Sequence, residues 1–315
     1  MRLVLMGTGP CGAPTFRRLY DTHHEIAALV TAPVKQRGGR PPAASPVRQL
    51  AGEHGTPILD PDQVNGEEAR ARLAEYGADL LVVCDYGQIL SAQTLATTRL
   101  GGVNLHGSLL PKYRGAAPIH WAIYHGEPET GVSVIHMTPR VDAGPVIGQS
   151  RTPIGPDETA ADVEARLSQM GAAPVLRAID ALEAGAERAL PQNPALASKA
   201  PRLKKIDGVI DWARPAEAIR NHVRAMEPWP KTYTFWHRAK GPRVRLILGP
   251  VSLAEAPAAA TPGTVLEASG DRIVVAAGEG AVVLETLQPA GKRLLEVREF
   301  LRGNPVRPGD CFGPE

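Results

Sequence analysis

Short apolar runs recur along the first half of the chain: Arg2 to Met6, Glu25 to Val30, Asp79 to Cys84 and Leu100 to Val103. Between them, apolar residues return at helical spacing, which predicts helices over about Pro46 to His54 and Gly66 to Tyr76. Strands that are apolar throughout are buried on both faces, and their alternation with helices predicts an α/β fold with a doubly wound, mostly parallel sheet. Farther on, Gly131 to Met137 alternates as one strand and leads to Arg140-Val141-Asp142-Ala143-Gly144-Pro145. A helix is expected over Pro118 to Tyr124, a strand near Val146 to Ile154, and one helix from Asp157 or Thr159 to about Glu183.

The texture then changes. Ala189 to Pro201 carries three prolines among alanines and reads as a linker. A helix from Pro215 to Met226 stops at Pro228-Trp229-Pro230. Short runs with strand character follow at Thr232–Trp236, Val244–Leu248, Gly263–Ala268, Arg272–Ala276 and Ala281–Leu287, separated by Gly-rich turns. Five such strands suit a small closed OB-like β-barrel. The expected organisation is a first domain over residues 1–189, a linker over 190–206 and a second domain over 207–315.

Composition adds less than the pattern. The net charge is +2, but from Ala200 onward there are 17 Lys+Arg against 13 Asp+Glu, and before it 18 against 20. That asymmetry favours a polyanion contact in the second part. Three cysteines (Cys11, Cys84, Cys311) without a CxxC indicate neither a disulfide framework nor a zinc site, and Cys84 lies in an apolar run as a buried thiol. No signal peptide is evident and no apolar run is long enough to span a bilayer, so a reduced, cytoplasmic setting is expected.

Gly7-Thr8-Gly9-Pro10-Cys11-Gly12 follows the first strand as a GxGxxG. The second strand, however, ends in Val30-Thr31-Ala32-Pro33 instead of the acid that would hold a ribose, which argues against a nicotinamide cofactor. Candidate chemistry lies in Asn104-Leu105-His106-Gly107-Ser108-Leu109-Leu110-Pro111-Lys112-Tyr113-Arg114-Gly115. Asn104 and His106 are two apart on a strand and share a face. An amide that can hold an oxyanion beside an imidazole that moves protons suits acyl-type transfer. Asp142 is the carboxylate that would orient the ring. A polar strand end and a turn aspartate satisfied by local hydrogen bonds would show the same residues.

The ordered pattern Asn-x-His-x-Ser-Leu-Leu-Pro, then Arg114-Gly115-Ala116-Ala117-Pro118, Glu129-Thr130-Gly131-Val132 and Asp142, resembles the folate-dependent formyltransferases over nearly the whole chain. Within that family it is most similar to the members that act on tRNA. The resemblance implies catalytic roles for Asn104, His106 and Asp142, and folate contacts from Ser108, Leu109, Leu110 and Pro111 and from Tyr86, Gly87 and Ile89. Asp85 stands where the family carries a small residue. The implied reaction moves a formyl group from 10-formyltetrahydrofolate to the amine of initiator methionyl-tRNA, by a cytoplasmic monomer, with no metal in any role. The basic loop over Thr31 to Pro46, with Lys35, Arg37 and Arg40, corresponds to a loop that reaches the tRNA acceptor stem in the family, although the Pro-Asp that opens that loop is missing here. Lys204-Lys205 and Lys292-Arg293 flank the second domain as further tRNA contacts. Gly107 and Lys112-Tyr113 resemble the sugar-nucleotide formyltransferases instead, and a tRNA-binding protein without activity is a third reading.

Overall fold

Apolar runs too short for helices become the strands of a seven-stranded sheet. The computed structural model describes residues 1–34, 45–238, 241–257 and 259–315, which form two units. The first comprises Met1–Pro118, Glu129–Pro153 and Glu164–Pro201; the second comprises Ile119–Pro128, Ile154–Val163 and Arg202–Glu315.

In chain order the elements are β1 (Arg2–Met6), α1 (Ala13–Tyr20), β2 (Glu25–Val30), α2 (Pro46–Glu53), β3 (Ile58–Leu59), α3 (Glu67–Glu75), β4 (Leu80–Cys84), α4 (Ala92–Leu95), β5 (Gly102–His106), α5 (Pro118–Tyr124), β6 (Glu129–His136), β7 (Val146–Pro153), α6 (Ala160–Met170) and α7 (Ala172–Glu183). The strand order is β3-β2-β1-β4-β5-β6-β7. Pairing is parallel from β3 through β5, and antiparallel for β5 with β6 and β6 with β7. β1 and β4 take the centre because their side chains are apolar on both faces, and nearly all of them are buried.

The helix expected to run unbroken to Glu183 is two helices, α6 and α7, that meet at Gly171. A Cβ at Gly171 would stand 2.3 Å from Leu105 Cδ2. A larger residue would have to push the Leu105 side chain aside, and Pro174 in the first turn of α7 has no N–H to continue α6.

The second unit continues with α8 (Ala216–Ala225), β8 (Tyr233–His237), β9 (Val244–Leu248), β10 (Val251–Ala254), β11 (Val265–Ser269), β12 (Arg272–Ala276), β13 (Ala281–Leu284), β14 (Thr286–Pro289), β15 (Leu295–Glu296), α9 (Val297–Gly303) and β16 (Cys311–Gly313). These strands are consistent with the expected small β-barrel module. Among the described residues the strands form a four-stranded sheet, β10-β13-β12-β11, and a five-stranded sheet, β15-β14-β9-β8-β16, all antiparallel. The run Ala281–Leu287 breaks after Leu284 and serves one sheet with each half. A bridge from Thr264 to Cys311 and backbone bonds from Val265 N–H to Asp310 O and Phe312 N–H to Gly263 O link the sheets, while Trp212, Trp236, Leu246, Val275, Val282, Phe300 and Phe312 share one core. Trp212 Nε1 donates to Thr234 Oγ1 at 3.0 Å and Trp236 Nε1 to Asp310 Oδ2 at 3.0 Å, so both buried indoles are satisfied.

Of the expected linker 190–206, residues 190–201 group with the first unit. Arg114 pairs with this stretch through backbone bonds: its N–H donates to Ser198 O at 2.9 Å, and Ala200 N–H donates to Arg114 O at 2.7 Å. Lys35, Arg37 and Arg40 lie outside the described residues.

Candidate active site

Strand β5 ends the apolar centre of the sheet and delivers Asn104 and His106 to its C-terminal edge, where parallel sheets place ligands. Asp142 arrives from the loop between β6 and β7. Its carboxylate stands between the two: Asn104 Nδ2 donates to Oδ1 over a long 3.4 Å, and His106 Nδ1 is 3.5 Å from Oδ2. Gly115 N–H donates to the same Oδ2 at 2.9 Å. His106 is only 5% exposed, and its Nε2 lies 2.9 Å from Tyr113 O. A carbonyl oxygen only accepts, so Nε2 carries a proton, and Nδ1 is the nitrogen left to gain or release one. That nitrogen faces Asp142.

The backbone around Asp142 is held from a distant stretch. Gln192 Nε2 donates to Asp142 O at 2.8 Å and to Gly144 O at 2.7 Å, while its Oε1 accepts from Arg114 Nε at 3.0 Å and Nη2 at 2.7 Å. Arg114 therefore braces the loop that carries the carboxylate.

Ser108, Leu109, Leu110 and Pro111 form the turn after β5, fastened to the two antiparallel strands. Ser133 Oγ donates to Ser108 O at 2.6 Å and accepts from Leu110 N–H at 3.0 Å. Gln149 Nε2 donates to Leu110 O at 2.9 Å and Ser133 Oγ at 2.8 Å. A Cβ at Gly131 would stand 2.1 Å from Ser150 O on β7 and 2.6 Å from Leu109 Cδ2, which explains the glycine in Glu129-Thr130-Gly131-Val132.

Tyr86, Gly87 and Ile89 follow β4, the neighbour of β5, so the structure brings the second predicted group to the same sheet edge. Gln88 pins this segment by accepting from Val64 N–H at 2.9 Å. Ile89 is 61% exposed, whereas the Tyr86 hydroxyl is buried without a hydrogen-bond partner, and burial pushes its pKa up to about 12. Asp85 takes a left-handed φ of 52° and accepts Thr8 N–H on its carbonyl at 3.0 Å. Its carboxylate lies over Gly9, where a Cβ would be 1.8 Å from Oδ2. Desolvation raises the pKa of Asp85, and desolvation together with the Asp85 charge raises that of Glu164. The glycines of the first loop thus serve close approach: Gly7 and Gly12 abut Cys84, and Gly9 abuts Asp85. A hydrogen bond with Cys11, reinforced by burial, holds the Cys84 thiol well above its usual range, so it is no nucleophile.

Two family models cover most of the chain: formyl transferase over residues 1–179, and formyl transferase, C-terminal domain, over 202–305. The chain belongs to the formyl transferase family. Among relatives of this formyl transferase, the methionyl-tRNA formyltransferase of Rhodopirellula baltica is 45% identical over 98% of this chain and 96% of its own. That of Desulforamulus reducens is 40% identical over 100% of this chain and 98% of its own. Solved structures share the fold at lower identity. WlaRD, a sugar 3N-formyl transferase solved with dTDP and 5-N-formyl-THF, has a TM-score of 0.66 at 16% identity, over 93% of this chain and 99% of that one. HypX from Aquifex aeolicus with tetrahydrofolic acid has a TM-score of 0.63 at 17% identity, covering 100% of this chain and 51% of that one.

Lys204, Lys205, Lys292 and Arg293 belong to the second unit and are exposed; Arg293 pairs with Glu299. Among the described residues, His23, His24 and Glu183 are one group with metal-ligand atoms within 4.8 Å of one another. Glu183 there accepts from the N-terminal ammonium at 2.7 Å, at the start of β1 and so at the opposite end of the sheet from His106. No helix among the described residues is long and apolar enough to cross a membrane. Sequence reasoning missed Ser133, Gln149 and Gln192. Ser133 had a signal, as the polar member of the buried run Val132–Ile135, but Gln192 had none.

Proposed function

We propose that this formyl transferase moves the formyl group of 10-formyltetrahydrofolate to the α-amine of initiator methionyl-tRNA. The observation that carries the reading is the Asp142 carboxylate facing Asn104 on one oxygen and His106 on the other. Full-length relatives named methionyl-tRNA formyltransferase support the choice of acceptor.

In this reading the neutral amine attacks the formyl carbon, and negative charge grows on the formyl oxygen. Asn104 donates to that oxygen, a contribution of about 2.7–4 kcal/mol for one such donor. His106, protonated on Nε2 by its Tyr113 contact, takes the amine's proton at Nδ1 while Asp142 stabilises the imidazolium, and returns it to the folate nitrogen as the carbon–nitrogen bond to the donor breaks and tetrahydrofolate leaves. The residues present fit the donor. Tyr86 and the exposed Ile89 offer apolar surface, and Gly87 and the Ser108–Pro111 turn backbone groups, to a flat heterocycle.

The proposed division of labour gives the chemistry to residues 1–189 and tRNA anchoring to 207–315, joined by a linker over 190–206. Lys35, Arg37, Arg40, Lys204, Lys205, Lys292 and Arg293 would contact phosphates. The Arg293–Glu299 pair is exposed, so exchanging Glu299 for phosphate costs little. A monomer in the cytoplasm belongs to the same reading, supported by the free thiols of Cys11, Cys84 and Cys311.

The test is direct: the purified protein is given 10-formyltetrahydrofolate and tRNA charged with methionine. Formyl-methionyl-tRNA is the expected product. A protein that left charged tRNA untouched and formylated a nucleotide-linked amino sugar would overturn the assignment.

A further inference from the structure

The second unit displays an aromatic and cationic sheet face that its core does not explain. Along β8, Thr234 and Trp236 are buried, so Tyr233, Phe235 and His237 project from the other face. Along β9, Leu246 and Leu248 are buried, and Arg245 and Ile247 project outward. The register sets Tyr233 opposite Ile247 and Phe235 opposite Arg245, with Gln288 of β14 on the far side of Ile247. The Arg245 guanidinium stands 3.9 Å from the Tyr233 ring centroid, and the Tyr233 and Phe235 rings meet edge to face with centroids 6.1 Å apart. The open side of an antiparallel sheet is ordinarily polar. This one presents two partly exposed rings and a stacked guanidinium.

Positive charge flanks the face on two sides. Val209 pairs with Tyr233, so the exposed Lys204 and Lys205 lie just ahead of the start of β8. Lys292, also exposed, is tied to Gln288, whose Nε2 donates to Lys292 O at 2.7 Å. The nearby carboxylates of Glu227 and Glu299 are already paired, with Lys231 and Arg293.

We propose that this face is a stacking platform for unpaired nucleotides of the tRNA, with Tyr233, Phe235 and Arg245 as its elements. The proposal rests on the tRNA reading above and adds residues to it. Bases offer a π-face to aromatic rings and to a guanidinium plane, and flanking lysines draw the phosphates. A continuous duplex cannot use such a surface, because its bases are stacked on one another.

The experiment compares the full-length protein with the Tyr233→Ala/Phe235→Ala double variant. A Tyr233→Leu/Phe235→Leu variant keeps apolar bulk without a π-face in case the alanines disturb the sheet, and Tyr233→Phe keeps the ring. Binding of methionyl-tRNA is measured over a salt series, together with formylation kinetics. Both double variants should bind roughly five- to hundredfold more weakly, the range for losing base stacking. Turnover at saturating tRNA should hold, and the salt slope should match wild type because no charge is removed. Tyr233→Phe should stay near wild type. Unchanged affinity in the Leu variant, or a Tyr233→Phe variant as weak as the Ala one, overturns the platform. A wild-type protein that does not formylate methionyl-tRNA at all defeats the underlying reading instead.

Discussion

Asp142, in the loop between β6 and β7, occupies the left-handed region at a φ of 48°, as do Asp85 at 52° and Tyr113 at 62° in the loops after β4 and β5. Non-glycine residues hold such angles at a cost of order 1–3 kcal/mol each, so the surroundings must enforce them. At Asp142 the enforcing bonds are visible: Gly115 N–H on the carboxylate and Gln192 on the carbonyl. Because Asn104 and His106 both lean on that one carboxylate, their losses should not add. Asn104→Ala is expected to lower kcat for formyl transfer roughly 10²–10³-fold. His106→Ala should be at least as damaging, and the double variant should fall well short of the product of the two. Steady-state kinetics on the two singles and the double decide this; near-normal turnover in His106→Ala would remove His106 from the chemistry.

The turn after β5 works as an element, not as a set of contacts. One side is fastened to β6 and β7 through Ser133 and Gln149, and the other to 198–200 through backbone bonds. Gly115 closes it with a φ of 127°, and a Cβ there would stand 2.4 Å from Ala200 O. Gly115→Ala should therefore displace the N–H that holds Asp142. Kinetics and thermal melts should show a loss of about 10²-fold in kcat/KM, the scale of a 1 Å misplacement, alongside lower stability. Gly148→Ala on β7, where nothing lies within 4 Å, is the control and should differ little from wild type in either measurement. Element boundaries were largely legible in the sequence: β1, β2, β9, β12 and α5 fall where periodicity and punctuation put them. The break at Gly171 was not, because a glycine inside a helical pattern is usually tolerated and only the fold sets Leu105 against it.

At the scale of the whole molecule, one electrostatic consequence of folding lies in the second unit. His222 is buried, its Nε2 donates to Asp207 O at 2.6 Å, and Tyr124 stands edge-on at 5.0 Å. Desolvation lowers its pKa to about 4, below the ordinary 6.5. The unfolded chain thus binds a proton that the folded one refuses between those values. The stabilising effect of keeping His222 neutral is complete above about pH 6.5 and is lost as pH falls toward 4, up to about 3 kcal/mol. Denaturant titrations at pH 7 and pH 4.5 should show wild type losing more stability than His222→Gln; equal losses would mean the imidazole is not the group that titrates.

Local pattern sufficed for the sheet-and-helix first domain, a strand-rich second part, and the shared face of Asn104 and His106, because backbone period converts spacing into direction. Tertiary structure alone decided the rest. It carried Asp142 to both residues, drew Gln192 out of a proline-rich stretch to brace that loop, and set the later strands in two sheets around one core. Each of these depends on which distant segments share a core. Nothing in residue spacing encodes that when Asn104 and Gln192 stand 38 and 50 residues from Asp142.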